Sequence, residues 1–310
     1  MPSSDDRIDA RDWSLLVVLS VLWGGSFFFN GVVLRELPPF TVVFLRVAIA
    51  AIILLPGLWI YRLAFPKGFL GWKPFFAVAL FNNVLPFSLI VTGQTYIPSG
   101  LASILNATTP LFTVAVMAAA GEEKLSARRV AGVIAGLIGV IILHGENLGF
   151  ASGQGLGILL CLAGAFSYGI SALIARRHLV DTPPLATATF QMLASVLMMT
   201  IVAGVIERPW QLPMPGMSTW LAVLGLAALS TALAYIVFFQ ILRRSGATNV
   251  MLVTLLIPVT AILLGYFALG ESISLREIVG ALVIGSALLL IDGRVLKFTR
   301  GRISTPKASR

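Results

Sequence analysis

Residues 13–34 read WSLLVVLSVLWGGSFFFNGVVL, 22 positions without a single Asp, Glu, Lys or Arg. A helix of that length rises about 33 Å, enough to cross the hydrocarbon core of a bilayer. The run is too long for the apolar core of a signal peptide, so no cleavage is expected. Charge bounds it on both sides, with Asp12 before it and Arg35 and Glu36 after it.

The rest of the chain has the same character. Of its 310 residues, 58% are hydrophobic and 11% charged. One soluble core of this length could not hide that much apolar surface, whereas lipid removes the need to hide it. The formal charge of +9 does not gather into one patch, as nucleic acid would require. The basic residues sit at short junctions between apolar runs, the pattern that orients membrane helices. Cys161 is the only cysteine, so the chain can form no internal disulfide or cysteine metal site.

On this basis the chain is an all-α membrane protein with ten transmembrane helices. They are expected at 13–34, 39–61, 73–94, 98–120, 126–144, 153–175, 184–206, 217–242, 246–270 and 274–292. The charge-free stretch Pro74 to Gly121 is too long for one helix, and Pro98, Ser99 and Gly100 divide it. The Pro-rich stretch Pro209 to Gly216 separates the seventh span from the eighth. With the N-terminus in the cytoplasm, eighteen Lys and Arg residues lie in cytoplasmic segments. Only Arg35, Arg208 and Arg276 lie outside. That bias predicts cytoplasmic N- and C-termini and an even number of spans. Residues 1–12 and the basic residues 294–310 are then cytoplasmic tails.

The two halves of the chain repeat each other. Trp23-Gly24-Gly25-Ser26 matches Tyr168-Gly169-Ile170-Ser171, and Pro38-Pro39 matches Pro183-Pro184, both 145 positions on. Gln94 and Ser99-Gly100 match Gln240 and Ser245-Gly246. Pro110 matches Pro258, Gly121-Glu122 matches Gly270-Glu271, and Gly132 and Gly145 match Gly280 and Gly293. The repeats run over 13–145 and 146–293. Each has five helices, an odd number, so the second enters the membrane from the opposite side. Inverted repeats of this kind place a central cavity between the halves, near the midplane.

Trp23-Gly24-Gly25-Ser26-Phe27, Leu37-Pro38-Pro39 and Leu45-Arg46 resemble the opening of an EamA-type repeat of the drug/metabolite transporter superfamily. Ser99-Gly100-Leu101-Ala102, Pro110, Gly121-Glu122 and the Gly132, Gly136, Gly139 series continue it. The second copy departs by carrying Tyr168 for the tryptophan and Gln191 where the first has Arg46. The chain is also similar to YddG-type exporters of aromatic and other neutral amino acids. The resemblance implies a multi-pass protein of the bacterial inner membrane that takes a small-molecule substrate.

Pro110 and Pro258 are expected to break the fourth and ninth spans and to free the carbonyls of Asn106 and Thr254. Matched breaks point to a transporter site, with Asn106, Thr109 and Thr254 lining it. Trp23, Phe27 and Asn30 share a helical face, with Ser26 beside it and Tyr168 and Ser171 as repeat mates. Aromatics with small hydroxyls suit a pocket for planar groups, although they also suit plain helix packing. Asn82 and Asn83, followed by Pro86, are costly in hydrocarbon unless they face a cavity or bridge helices. Tyr235 is a further candidate, while Gln94 and Gln240 read as helix-end residues. Arg46 is the one charge well inside a span, about 10 Å deep. Its place in the resembled family implies a contact to carbonyls or a snorkelling pose, with a substrate role as the alternative. Glu122 and Glu271 read as helix-end anchors, and His144 and His178 as structural. Gly132-x-x-x-Gly136 permits close packing within a monomer, with a dimer face as the alternative.

No Asp or Glu occupies the middle of a span, so obligatory proton antiport is not expected. A sugar phosphate would want two or more basic residues in the cavity, where Arg46 alone is available. Neutral or zwitterionic metabolites fit better, above all neutral and aromatic amino acids, exported by alternating access with weak or no ion coupling. A flippase for lipid-linked intermediates and a nucleoside or drug exporter are the alternatives. No nucleotide loop, metal triad or serine–base arrangement is present, so neither an enzyme, a cofactor nor a bound metal is expected.

Overall fold

A computed structural model describes residues 10–123, 126–144, 153–238, 240, 241, 244 and 252–292. Regular structure among them is helical throughout, in rods joined by short turns. We number these α1 Ala10–Val33, α2 Pro39–Ile60, α3 Gly68–Gly93, α4 Ser99–Ala119 and α5 Ala127–His144. They continue as α6 Gln154–His178, α7 Pro184–Ile206, α8 Met217–Phe238, α9 Val253–Leu269 and α10 Leu275–Asp292. Seven of them, α1 to α4 and α6 to α8, are long and apolar enough to cross a membrane. The apolar parts of α5 and α9 are shorter, Val130–Ile142 and Val253–Leu269. The start expected for the ninth span, with Ser245, Gly246, Gly145 and Gly293, lies outside the described residues. The third span begins at Gly68, so Lys73 rides on its opening turns instead of preceding them.

The repeated proline pairs start matching helices. Pro38 and Pro183 precede α2 and α7 with ψ of 157° and 133°, and Pro39 and Pro184 take the first helical position. The missing N–H costs nothing there, because that donor has no partner within the helix.

Packing follows the repeat. Exchanging each helix for the one five places on turns the contact of α1 with α9 into that of α6 with α4. The same exchange turns α3 against α6 into α8 against α1, and α2 against α8 into α7 against α3. The pairs α5 with α10 and α2 with α7 map onto themselves. Repeat-mate glycines permit two of these contacts. A Cβ on Gly24 would lie 2.8 Å from Cβ of Thr260 and 3.0 Å from the Ile257 carbonyl. One on Gly169 would lie 3.1–3.2 Å from backbone atoms of Phe112 and Thr113. Gly136 is covered by Leu111 of α4 and Gly139 by Ile284 of α10, so both of these glycines serve packing within the chain.

Two large apolar clusters result. One gathers Leu16, Phe27, Leu105, Cys161 and Ile257 from α1, α4, α6 and α9. The other gathers Val43, Val47, Phe87, Met192 and Leu226 from α2, α3, α7 and α8. Tyr168 packs against both. Large apolar side chains such as Ile141, Ile201, Val205, Leu221 and Phe267 are left on the outside, as a lipid-facing surface requires.

Candidate substrate site

The polar centre begins with a defect in two repeat-mate helices. In α3, residues Leu80–Val84 form a π-turn, closed by Leu85 N–H on the Leu80 carbonyl. In α8, Gly225–Leu233 does the same, closed by Ala234 N–H on the Leu229 carbonyl. A π-turn widens the helix and is often found at functional sites. In α3 it relieves Pro86, which would otherwise clash with the carbonyl four residues back. The turns carry Asn82, Asn83, Ser230 and Thr231, and Tyr235 follows the second.

These residues meet α7. Asn83 Nδ2 donates to Ser195 Oγ at 3.0 Å, and Ser195 Oγ donates to the Gln191 carbonyl at 2.7 Å. Both side chains are fully buried, and these bonds are short. Asn82 is different. Its Nδ2 faces Tyr235 Oη at 3.1 Å, Gln191 Oε1 at 3.3 Å and Asn83 Oδ1 at 3.4 Å. One amide has two hydrogens for these three acceptors, and the contacts to Gln191 and Asn83 are longer than the usual range. Tyr235 also reaches Asn83 Oδ1, at 3.5 Å. The cluster therefore has a tight wall, Asn83–Ser195–Gln191, and a loose inner set, Asn82 and Tyr235.

Arg46 enters from α2. It is 7% exposed, so it does not snorkel. Among the described residues, no carbonyl accepts from its guanidinium. Its Nε donates to Thr231 Oγ1 at 2.9 Å, and that hydroxyl donates to the Leu226 carbonyl. The guanidinium carbon sits 3.8 Å from the ring centroid of Phe87, a cation–π contact worth about 1–2 kcal/mol when desolvated. Among the described residues, Tyr168 and Tyr235 interact with it electrostatically. Arg46 thus comes from α2 and its repeat mate Gln191 from α7.

The other expected residues fall elsewhere. Asn30 is 2% exposed and donates to Gln94 Oε1 at 2.8 Å; Gln94 Nε2 donates to the Phe27 carbonyl and to Ser99 Oγ. This knot stands beside a cavity of about 440 Å³ lined by Gly31, Arg35, Gln94, Ser99 and Glu271. Trp23 pairs with Phe238 at 5.5 Å, and Phe27 belongs to an apolar core. Ser26 turns back onto the Trp23 carbonyl, and Ser171 is buried. The face Trp23, Phe27 and Asn30 thus meets the end of α8, the end of α3 and the start of α4.

The prolines correct the expectation of matched breaks. α4 is interrupted at Ala107 and Thr108, and Pro110 takes the second position of the segment that restarts at Thr109. The Asn106 carbonyl that is freed accepts from Thr109 Oγ1 at 2.7 Å, which meets one of its two lone pairs within the chain. Pro258 breaks nothing among the described residues, because helix runs through it from Val253 to Leu264. Thr254 lies in the first turn of that segment.

The ends of the bundle are fastened differently. At one end, Glu207 binds the first backbone N–H groups of α2, Glu271 those of α4, and Glu36 the Gly216 N–H that opens α8. At the other end Arg177 donates to Glu122 at 2.7 Å, and Asp12 pairs with Arg244 at 3.0 Å. There Trp72, Phe75 and Phe190 also stack at 5.2–6.2 Å. Sequence reasoning missed Gln191, Ser195, Thr231 and Phe87. A usable signal existed for two of them, because Gln191 and Ser195 are polar at i, i+4 within an apolar span.

A bundle with an apolar exterior, fastened ends and a polar cluster at mid-depth defines a polytopic membrane protein built to pass small molecules. The chain belongs to the EamA-like transporter family, which its residues 13–144 and 155–292 each match. It is 26% identical to the "Probable amino-acid metabolite efflux pump" of Salmonella typhimurium (strain LT2), over 90% of this chain and 94% of that one. It is 28% identical to the inner membrane transporter YedA of Escherichia coli (strain K12), over 89% of each. It is 24% identical to the transporter YoaV of Bacillus subtilis (strain 168), over 87% and 92%. A crystal structure superposes with a TM-score of 0.64 at 19% identity, over 91% of this chain and 98% of that one, and shares the fold. The protein is a multi-pass inner membrane transporter.

Proposed function

We propose that this chain is a secondary transporter exporting small neutral or zwitterionic metabolites, foremost neutral and aromatic amino acids, by alternating access with weak or no ion coupling. Ten crossings in two inverted halves, 13–145 and 146–293, frame the path. The arginine-rich end and both termini face the cytoplasm, and the carboxylate-capped end faces out. The substrate meets Asn82, Tyr168 and Tyr235, with Asn83 in the wall behind them, and passes Asn30 on its way out. The observation that carries this reading is the composition of the centre. Among the described residues it holds amides, phenols, the hydroxyls of Ser195 and Thr231 and one guanidinium, and the carboxylates sit at helix ends. Such a centre offers no acid to relay a proton and too little positive charge for a sugar phosphate. The amino-acid metabolite efflux named for the Salmonella relative supports the same substrate class. Alternation would open the caps of Glu36, Glu207 and Glu271 in one state and the Glu122–Arg177 contact in the other.

Uptake into liposomes tests it, using labelled neutral amino acids, a nucleoside and a sugar phosphate, with and without a pH gradient. Saturable amino-acid uptake without a gradient is expected. Uptake of the sugar phosphate alone, or uptake that requires the gradient, would overturn the reading.

A further inference from the structure

Arg46 is a buried cation whose charge is only half met. Its Nε is bound by Thr231 and one face of its guanidinium is covered by Phe87. Among the described residues Nη1 and Nη2 have no hydrogen-bond acceptor, and no carboxylate pairs with the side chain. Removing a cation from water is costly unless a counter-charge or several acceptors replace the solvent. Here the protein supplies one hydroxyl and one ring. The edge left open carries two parallel N–H groups, the geometry that matches both oxygens of a carboxylate. Tyr168 and Tyr235 pack against the cluster that contains Phe87, and Tyr235 lies about one helical turn beyond Thr231 in α8. The Asn82 amide is shared between Tyr235 at 3.1 Å and Gln191 at 3.3 Å. An amide shared in this way can turn its oxygen to an ammonium at small cost.

We infer that Arg46 is the carboxylate anchor of the substrate site. The inference rests on the transporter reading above and narrows its substrate class. The cargo carries one free carboxylate, which docks on Nη1 and Nη2. A neighbouring ammonium is met by the oxygens of Tyr235, Asn82 and Gln191. Molecules of similar shape without the carboxylate are poor cargo. Dianions leave a charge unmet and are poor as well. Gln191, where the other repeat has this arginine, keeps the cluster at a single positive charge.

The experiment is competition in liposomes between labelled phenylalanine and three unlabelled probes: phenylalanine, phenylalaninamide and phenethylamine. Wild-type protein should prefer phenylalanine over either analogue by about 10- to 100-fold, the range expected when a hydrogen bond to a charged group is lost. R46Q should lose most of that preference together with phenylalanine uptake. R46K, which keeps the charge but not the paired N–H groups, should fall between. Equal competition by all three probes on wild type would overturn the anchor while leaving the transporter reading intact. So would an R46Q or R46K protein that folds and discriminates like wild type. Failure of wild type to carry any neutral amino acid would instead overturn the transporter reading itself. The wild-type arm needs no variant, so the inference stays testable even if R46Q does not fold.

Discussion

Glu207 holds Thr41 twice. One carboxylate oxygen accepts from the Thr41 backbone N–H at 2.6 Å and from its hydroxyl at 2.7 Å, while the other takes the Phe40 N–H at 2.9 Å. The acid comes from the end of α7 and caps the start of α2, more than 160 residues earlier in the chain. It satisfies orphan donors and places negative charge at the positive end of the helix dipole. E207A is therefore expected to lower stability by about 1–2 kcal/mol, read as thermal unfolding in detergent. E207Q keeps the reach but not the charge and should lose less. An alanine variant as stable as wild type would show that the cap carries no weight.

The opposite end answers to pH. Its bond from Arg177 is the main reason the Glu122 carboxyl lies below the usual carboxylate range. A depressed folded-state pKa means that the contact contributes above the unfolded-state value, and that the contribution disappears as pH falls through the folded-state value. Melting curves of wild type and R177Q should differ by a constant amount from neutral pH down to about pH 5 and converge below about pH 4. High salt should shrink the difference, because the pair is exposed. A gap that widens in acid would contradict this assignment.

The repeat makes a paired prediction. Gly24 and Gly169 let α1 and α6 approach the backbones of α9 and α4, so a methyl at either has no room. G24A and G169A should each destabilise by about 1–3 kcal/mol, the usual penalty for overpacking. Similar losses are expected at both sites in thermal unfolding. A neutral G169A alone would mean that the two halves do not pack alike.

These glycines also show what the sequence made legible. Length and hydropathy identify most of the rods because lipid demands about twenty apolar residues per crossing. The internal match at Trp23 and Tyr168 anticipates contacts that the fold then makes. The π-turns were not legible. Pro86 gives a reason for the one in α3, but its counterpart in α8 has no proline, and widening a helix by one residue leaves no periodic trace over so few turns. Helical spacing aligns Trp23, Phe27 and Asn30 on one face of α1, but it does not say which helices that face meets. Arg46 was visible as a charge, whereas its partners Thr231 and Phe87 sit on helices far along the chain.

The two adjacent asparagines should separate in experiment. Asn83 and Ser195 are fully buried and share a 3.0 Å bond, with Ser195 bound in turn to the α7 backbone. Breaking one partner strands the other in a region without water, which costs about 1–3 kcal/mol. Both N83A and S195A should therefore lower the melting temperature. Their effects should be less than additive, because each removes the same bond. Asn82 is half-buried, and its bonds are long and shared. N82A should leave stability within about 1 kcal/mol of wild type, because the remaining acceptors can rebond through Tyr235 or water. If Asn82 meets the substrate, N82A should reduce uptake about tenfold or more while the protein remains folded. Melting temperature and initial uptake rate, measured on the same reconstituted samples, decide the matter. Equal losses of both for N82A and N83A would mean that the cluster is a single structural unit, and the division into a tight wall and a loose inner set would fall.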